Sequence, residues 1–322
     1  MEIAKTGLGF VFLFACVLAN AQTILKLGNP QSDTSAFHIG AQAFADDFET
    51  RTQGRYKIKV FSGAILGGEG EMVESVKHGT LDLVLTSTGP VGNLVPETLI
   101  FDIPFLFRDY NHARQVLDGP IGQEILAKFP TKGMVALAWA ENGFRHLTNN
   151  KKPVFGPEDL KGLKIRTMDN QVHMTAFKAL GATPLPLPFP ELFSALQVGL
   201  IDGQENPIPT IISDHFGKVQ KYLTLSGHFY SPALILASQS MFNKLSGADK
   251  KAIVESAKIG SALMRKRVNE VEARGIDELK KQGVSVVTSV DKIKFQNALA
   301  PAYVEYEKKF GVQNMERIRN FK

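Results

Sequence analysis

Apolar side chains recur at three- and four-residue steps from Phe37 through Ala41, Phe44 and Ala45 to Phe48, the spacing of one buried helix face. Thr34 or Ser35 is placed to cap that helix, and Gly54 to end it. From Tyr56 to Phe61 the period changes to two, Ile58 and Val60 alternating with Lys57 and Lys59, which predicts a half-buried strand. A second helix is predicted over 71–78, stopped by Gly79. Leu81 to Leu85 is almost continuously apolar, as a strand covered on both faces by helices must be. The alternation continues with strands over 134–138 and 163–167, a helix over 172–180 closed by Gly181, and a helix over 190–198 with Pro190 in its first turn. Such a succession implies parallel sheets sandwiched by helices. From Ala248 to about Gln282 a charged pattern carries Ile253, Ala257, Leu263, Val268, Val271 and Ile276 with few breakers. It is too long for a simple crossover and predicts a helix spanning two lobes. A strand over 284–287 and a helix over 292–306 complete the chain.

The first residues read differently. Lys5, the apolar run Leu8 to Leu18 and the small-x-small ending Ala19-Asn20-Ala21 predict a secretory signal cleaved after Ala21. A lipid anchor on Cys16 is the competing reading, disfavoured by the large Phe14 where such signals carry a small residue. No later stretch approaches the roughly 18 consecutive apolar residues of a membrane span, so the exported chain is expected to be soluble and periplasmic. Cys16 is the only cysteine, so cleavage leaves none for disulfides, thiolate catalysis or metal ligation. About 300 remaining residues exceed what one core usually organises, and two domains are expected. The net charge of +5 is spread along the chain without Lys/Arg clusters, which argues against nucleic acid and leaves small anions open.

In open parallel sheets ligands sit beyond the carboxyl ends of the strands, so the residues that follow each apolar run are the ones to inspect. Four such places are polar: Thr86, Ser87 and Thr88; Glu141, Asn142 and Arg145; Arg166; and Asp202, Gln204, Glu205 and Asn206. Arg166 is the sharpest candidate, because a guanidinium fixed at a strand end presents a fork that two carboxylate oxygens accept in parallel. Pairing with a neighbouring acid such as Asp169 is the more ordinary fate of such an arginine, and Arg145 faces the same alternative. Asn206 is equally placed to cap the following helix. The segment 184–190, with a proline after each Leu and after Phe189, is held extended and serves either as a stiff edge connector or as a wall presenting Phe189 to a ligand. The glycine-rich stretch 63–70 fits neither nucleotide fingerprint, and Glu69 and Glu71 would repel phosphate. No metalloprotease or esterase motif is present, and Asp202 with Glu205 reads more simply as helix caps than as an acid/base pair. No enzyme, metal site or cofactor is expected.

Several stretches together resemble the periplasmic solute-binding subunits of tripartite ATP-independent periplasmic (TRAP) transporters, of the dicarboxylate-binding (DctP) type. They are Gly162-Leu-Lys-Ile-Arg166, Glu191-Leu-Phe-Ser-Ala-Leu-Gln197, Ile201-Asp-Gly-Gln-Glu-Asn-Pro207, Leu66-Gly-Gly-Glu69, His78-Gly-Thr-Leu-Asp82 and Asn142-Gly-Phe-Arg145, and the likeness covers the whole mature chain. The resemblance implies a two-lobed periplasmic-binding-protein-like (type II) α/β fold with a long lobe-spanning helix. Its lobes would be discontinuous, one of residues 22–143 plus about 232–271 and the other of 144–231 plus about 272–322. It implies that Arg166 forms the carboxylate-binding salt bridge, that Arg145 and Asn206 complete the pocket, that Phe189 lines it, and that Asp169 and Glu69 contact ligand polar groups. Ser87 and Thr88 add hydroxyls; Ser87 stands where sialic-acid-binding members are acidic, which counts against that ligand. A monomer is expected, with a small organic acid as ligand and the small and large integral membrane subunits of the transporter as partners. A hexuronate or other sugar acid fits the hydroxyl and acid groups best, while a C4-dicarboxylate, a keto acid, or a sensor subunit with the same pocket remain open.

Overall fold

The computed structural model describes residues 22–322; the predicted signal and Cys16 lie outside them. Among the described residues nine strands form one mixed sheet: β1 (Thr23–Gly28), β2 (Tyr56–Phe61), β3 (Leu83–Ser87), β4 (Met134–Asn149), β5 (Lys164–Thr167), β6 (Thr183–Pro186), β7 (Gly203–Asn206), β8 (Tyr222–Ser238) and β9 (Ser285–Val287). Their order is β2-β1-β3-β8-β4-β7-β5-β6, with β9 also on β8. The outer strands pair in parallel, β1 with β2 and β3, and β5 with β6 and β7. The centre does not. β4 runs antiparallel to both β7 and β8, and β3 antiparallel to β8, so the sandwich of purely parallel sheets is corrected to a mixed one.

The correction has a physical cause in strand length. β4 and β8 have 16 and 17 residues and form the centre of the sheet in a two-lobed type II fold. The first half of β4, Met134 to Glu141, pairs with the part of β8 that borders β3, and its last residues, His146 to Asn149, also pair with β7. Strand-to-strand crossing of this kind needs no helix and lets neighbours run antiparallel. Three register shifts, at Ala136/Ala138, Glu141/Gly143 and Arg145/Leu147, interrupt the β4–β8 ladder.

Local signals behave as their chemistry requires. Ser35 accepts the His38 N–H and starts the helix Ala36–Arg51, whose buried face is Phe37, Ala41, Phe44, Ala45 and Phe48. Gly79 closes the helix Glu69–His78 in the left-handed region at φ 76°, where a side chain would be strained. The long helix Gly247–Lys281 has 35 residues, about 50 Å of rise, and packs along the helix Ala36–Arg51, β4 and the short helix Ile208–Ser213. The predicted helix over 292–306 is two, Lys292–Ala298 and Ala300–Phe310, because Pro301 cannot continue the first. One apolar core lies around Phe37, Leu83, Ile235 and Met264, a second around Phe101, Trp139, Ile165 and Phe295, and a third around Leu196, Ile211 and Leu279.

Candidate functional site

A cleft of about 840 Å³ lies at the carboxyl ends of β5 and β6 and faces the start of the helix Glu69–His78. Its floor is Arg166. β5 is one of the inner parallel strands, with Arg166 in register with Leu185 of β6 and Gln204 of β7. The side chain is 2 % exposed, and its Nε and Nη2 donate to the Leu187 carbonyl at 2.9 and 2.7 Å. Nη1 is buried and has no partner among the described residues. Burial pushes the guanidinium down to about 10, the like charge of Arg145 adding to this and Glu205 and Glu69 opposing it. The cation therefore stays charged at neutral pH while one arm of its fork is unsatisfied.

The walls come from both sides of the chain's midpoint. Proline-locked residues 186–190 form one wall, with the Phe189 ring 6.0 Å from the Arg166 guanidinium carbon and edge-on to Phe216 at 5.9 Å. Thr183–Pro186 is the outermost strand, as an edge connector requires, and its continuation lines the cleft. Opposite stand Gly67, Gly68 and Glu69, then Asn93 and Leu94. Glu69 is 7 % exposed; its Oε1 accepts the Ser87 N–H at 2.7 Å and the Thr86 hydroxyl at 3.1 Å. Asp169 does not pair with Arg166. Its Oδ2 accepts the Asn93 amide at 2.9 Å, a bond that joins the two walls.

Arg166, Asp169, Glu69 and Phe189 are therefore brought to one cleft, and Arg145, Asn206, Ser87 and Thr88 are not among its lining residues. Arg145 does not follow a strand end; it lies inside β4, fully buried, and its fork is taken up by the Glu205 carboxylate and main-chain carbonyl. Burial alone would raise the Glu205 carboxyl, but Arg145, with His173 and His228 at 3.7 and 3.5 Å, holds it well below the usual carboxylate range. Asn206 does not cap a helix: it lies in β7, 2 % exposed, and donates to Gln204 at 2.5 Å. Ser87 is buried beside Glu69, and the Thr88 hydroxyl donates to Asp102 at 3.0 Å. Asp202 and Glu205 do not meet as an acid/base pair; Asp202 accepts the Lys164 N–H at 2.8 Å. Among the described residues no cluster of three or more His, Cys, Asp or Glu is placed to hold a metal ion.

Two contributors carried no sequence signal. Leu187 acts through its carbonyl, which any residue supplies, and Asn93 sits in an exposed turn with nothing periodic about it. Glu71, Glu74 and Glu191 also line the cleft, although first-turn acids such as Glu71 and Glu191 ordinarily serve the helix dipole.

A family model described as bacterial extracellular solute-binding protein, family 7, matches residues 27–309. A protein named solute-binding protein from Verminephrobacter eiseniae is 50% identical over 302 residues, covering 94% of this chain and 90% of its own length. The 2,3-diketo-L-gulonate-binding periplasmic protein YiaO of Escherichia coli is 40% identical over 275 residues, covering 85% and 84% of the two chains. The crystal structure of a TRAP periplasmic solute binding protein from Polaromonas sp JS666, bound to D-erythronate, superposes with a TM-score of 0.92 at 54% identity over 94% of this chain and 99% of that one.

Proposed function

The chain belongs to the bacterial extracellular solute-binding proteins of family 7, the solute-binding proteins of TRAP transporters, and from that premise we propose that it captures a sugar acid such as a hexuronate on Arg166. The observation that carries this reading is the buried, half-satisfied guanidinium on the floor of the cleft. Its Nε and Nη2 are fixed by a neutral carbonyl, so the positive charge is oriented but not neutralised by that contact. A carboxylate meeting Nη1 gains a charge-assisted hydrogen bond in a site largely shielded from water. Asp169 and Glu69, acceptors on the opposite walls, suit ligand hydroxyls, and the Phe189 ring suits the apolar face of a sugar-derived chain. The relatives that bind D-erythronate and 2,3-diketo-L-gulonate support the same ligand class.

In this reading the two lobes, residues 22–143 with about 232–271 and residues 144–231 with about 272–322, close on the acid, and the closed form is what the membrane subunits recognise. Export by the leader 1–21 places the receptor in the periplasm, and the chain catalyses nothing itself. Among the described residues no helix is long and apolar enough to cross a membrane, which agrees with a receptor separate from the membrane subunits. A micromolar dissociation constant needs only about 8 kcal/mol, within reach of one fork contact, several hydrogen bonds and an apolar wall. The test is a thermal-shift screen against uronates, aldonates, dicarboxylates and keto acids. A true ligand at about a hundred times its dissociation constant adds about 2.7 kcal/mol. A screen in which no sugar acid raises the melting temperature sinks the proposal.

A further inference from the structure

We infer that the cleft admits organic acids with one negative charge and rejects those with two, and that Asp169 and Glu191 are specificity-determining residues for this choice. The inference rests on the reading of the cleft as an acid site anchored at Arg166. It starts from the charges on the walls. Arg166 is the one cationic residue among those that line the cleft, whereas five of them are carboxylic acids: Glu69, Glu71, Glu74, Asp169 and Glu191.

Most of these acids are held by neutral donors, which fix a carboxylate without cancelling its charge. Glu69 accepts a main-chain N–H and a hydroxyl, Glu71 accepts the Gly68 N–H, and Asp169 accepts the Asn93 amide. Only Glu74 meets a cation, Lys77 at 2.9 Å on its own helix, with the His78 ring 3.4 Å away. The Arg145 guanidinium, the other buried arginine of this half of the sheet, is already taken by Glu205 and does not line the cleft. An acid whose first carboxylate occupies Arg166 thus finds no second cation anywhere on the surrounding walls. A second carboxylate would face like charge in a partly dry cleft, where such repulsion is costly. A hydroxyl in the same place donates to those carboxylates and forms a strong charged hydrogen bond. The same residues that favour a polyhydroxy monoacid therefore disfavour a diacid of equal length.

Position singles out two of the five. Asp169 lies three residues beyond Arg166 at the end of β5, and Glu191 lies two residues beyond Phe189, whose ring flanks the guanidinium. Both side chains are exposed to the cleft rather than engaged in the core.

The test is calorimetric titration of the full mature chain with matched pairs, an aldonate against the aldarate of the same length (gluconate with glucarate, erythronate with tartrate). The aldonate is expected to bind at least about tenfold more tightly, and raising the ionic strength is expected to narrow the gap, since added salt screens exposed like charges. Asp169→Asn combined with Glu191→Gln, which removes charge at nearly constant volume, is expected to tighten aldarate binding relative to aldonate by several-fold. A steric exclusion would be indifferent to salt and to these isosteric changes. Equal affinity for the two acids, or a gap that neither salt nor the double substitution moves, overturns charge selection while leaving the Arg166 site standing. Failure of every monoacid and diacid to bind overturns the acid site itself and this inference with it.

Discussion

At the scale of single residues, two arginines that look alike in the sequence have opposite fates. Arg145 is consumed by Glu205, and Arg166 is held by a carbonyl with one nitrogen left over. The ordinary expectation for Arg166, an ion pair with Asp169, fails because Asp169 is turned to Asn93. Replacing Arg166 by Ala is expected to cost about 3 to 5 kcal/mol of binding, since the ligand carboxylate loses its partner in a buried site. Arg166→Lys keeps the charge but not the fork, and is expected to lose most of that affinity as well. Titration calorimetry reads both, with circular dichroism confirming the fold; a lysine variant that binds like the wild type would show that charge alone suffices. Which acids line the cleft was partly legible, through Glu69 and Asp169. Glu71 and Glu191 were not, because an acid in a first helical turn already has a sufficient local reason to be there, and Glu74 was not, because an acid three residues before Lys77 reads as an ordinary surface pair.

Among elements, those with one dry and one wet face were readable nearly to the residue. The helix Ala36–Arg51 and the strand Tyr56–Phe61 bury and expose side chains at the periods their sequences show. Pattern reading cut β4 short, because Glu141, Asn142 and Arg145 look like a strand end, and gave no strand where β8 lies. All three are buried and hydrogen-bonded within β4, Glu141 and Arg145 in the ladder and Asn142 at one of its register shifts. β7 inverts the rule further: Gly203, Gln204, Glu205 and Asn206 are all buried. Helix-to-helix contact is set by glycine. A Cβ added at Gly260 of the long helix would lie 2.5 Å from the Gly40 carbonyl oxygen and 2.7 Å from the Phe44 Cβ, both on the helix Ala36–Arg51. Gly260→Ala is expected to force these helices apart and destabilise by about 1 to 3 kcal/mol in chemical denaturation, despite the better helix propensity of alanine. A gain in stability would show that the helices separate freely.

For the whole molecule, the junction of the long helix with the central sheet carries a pH dependence. Burial pushes the Glu272 carboxyl up to about 7, with the Tyr110 hydroxyl at 3.0 Å opposing the rise and the charge of Glu141 adding to it. Tyr110 in turn accepts the Phe144 N–H of β4 at 3.1 Å. An acid whose folded pKa is raised binds more protons folded than unfolded, so its stabilisation is complete below about 4.5 and is lost as pH rises towards 7. Glu272→Gln is expected to flatten that fall, gaining about 3 kcal/mol on the wild type between pH 4.5 and 7.5 in denaturant titrations. Parallel pH curves for the two proteins would remove Glu272 as the cause. The sequence alone determined the alternation of helices and strands, the helix that spans two lobes and the arginine at a strand end, because these follow from local periodicity and from the chemistry of one side chain. Only the tertiary structure decided that β4 and β8 are long strands at the centre of the sheet, that Arg145 bonds Glu205, and that five acids surround one cation. Each depends on residues far apart in the chain meeting in space, and burial with a partner reverses what polarity implies when it is read along a line.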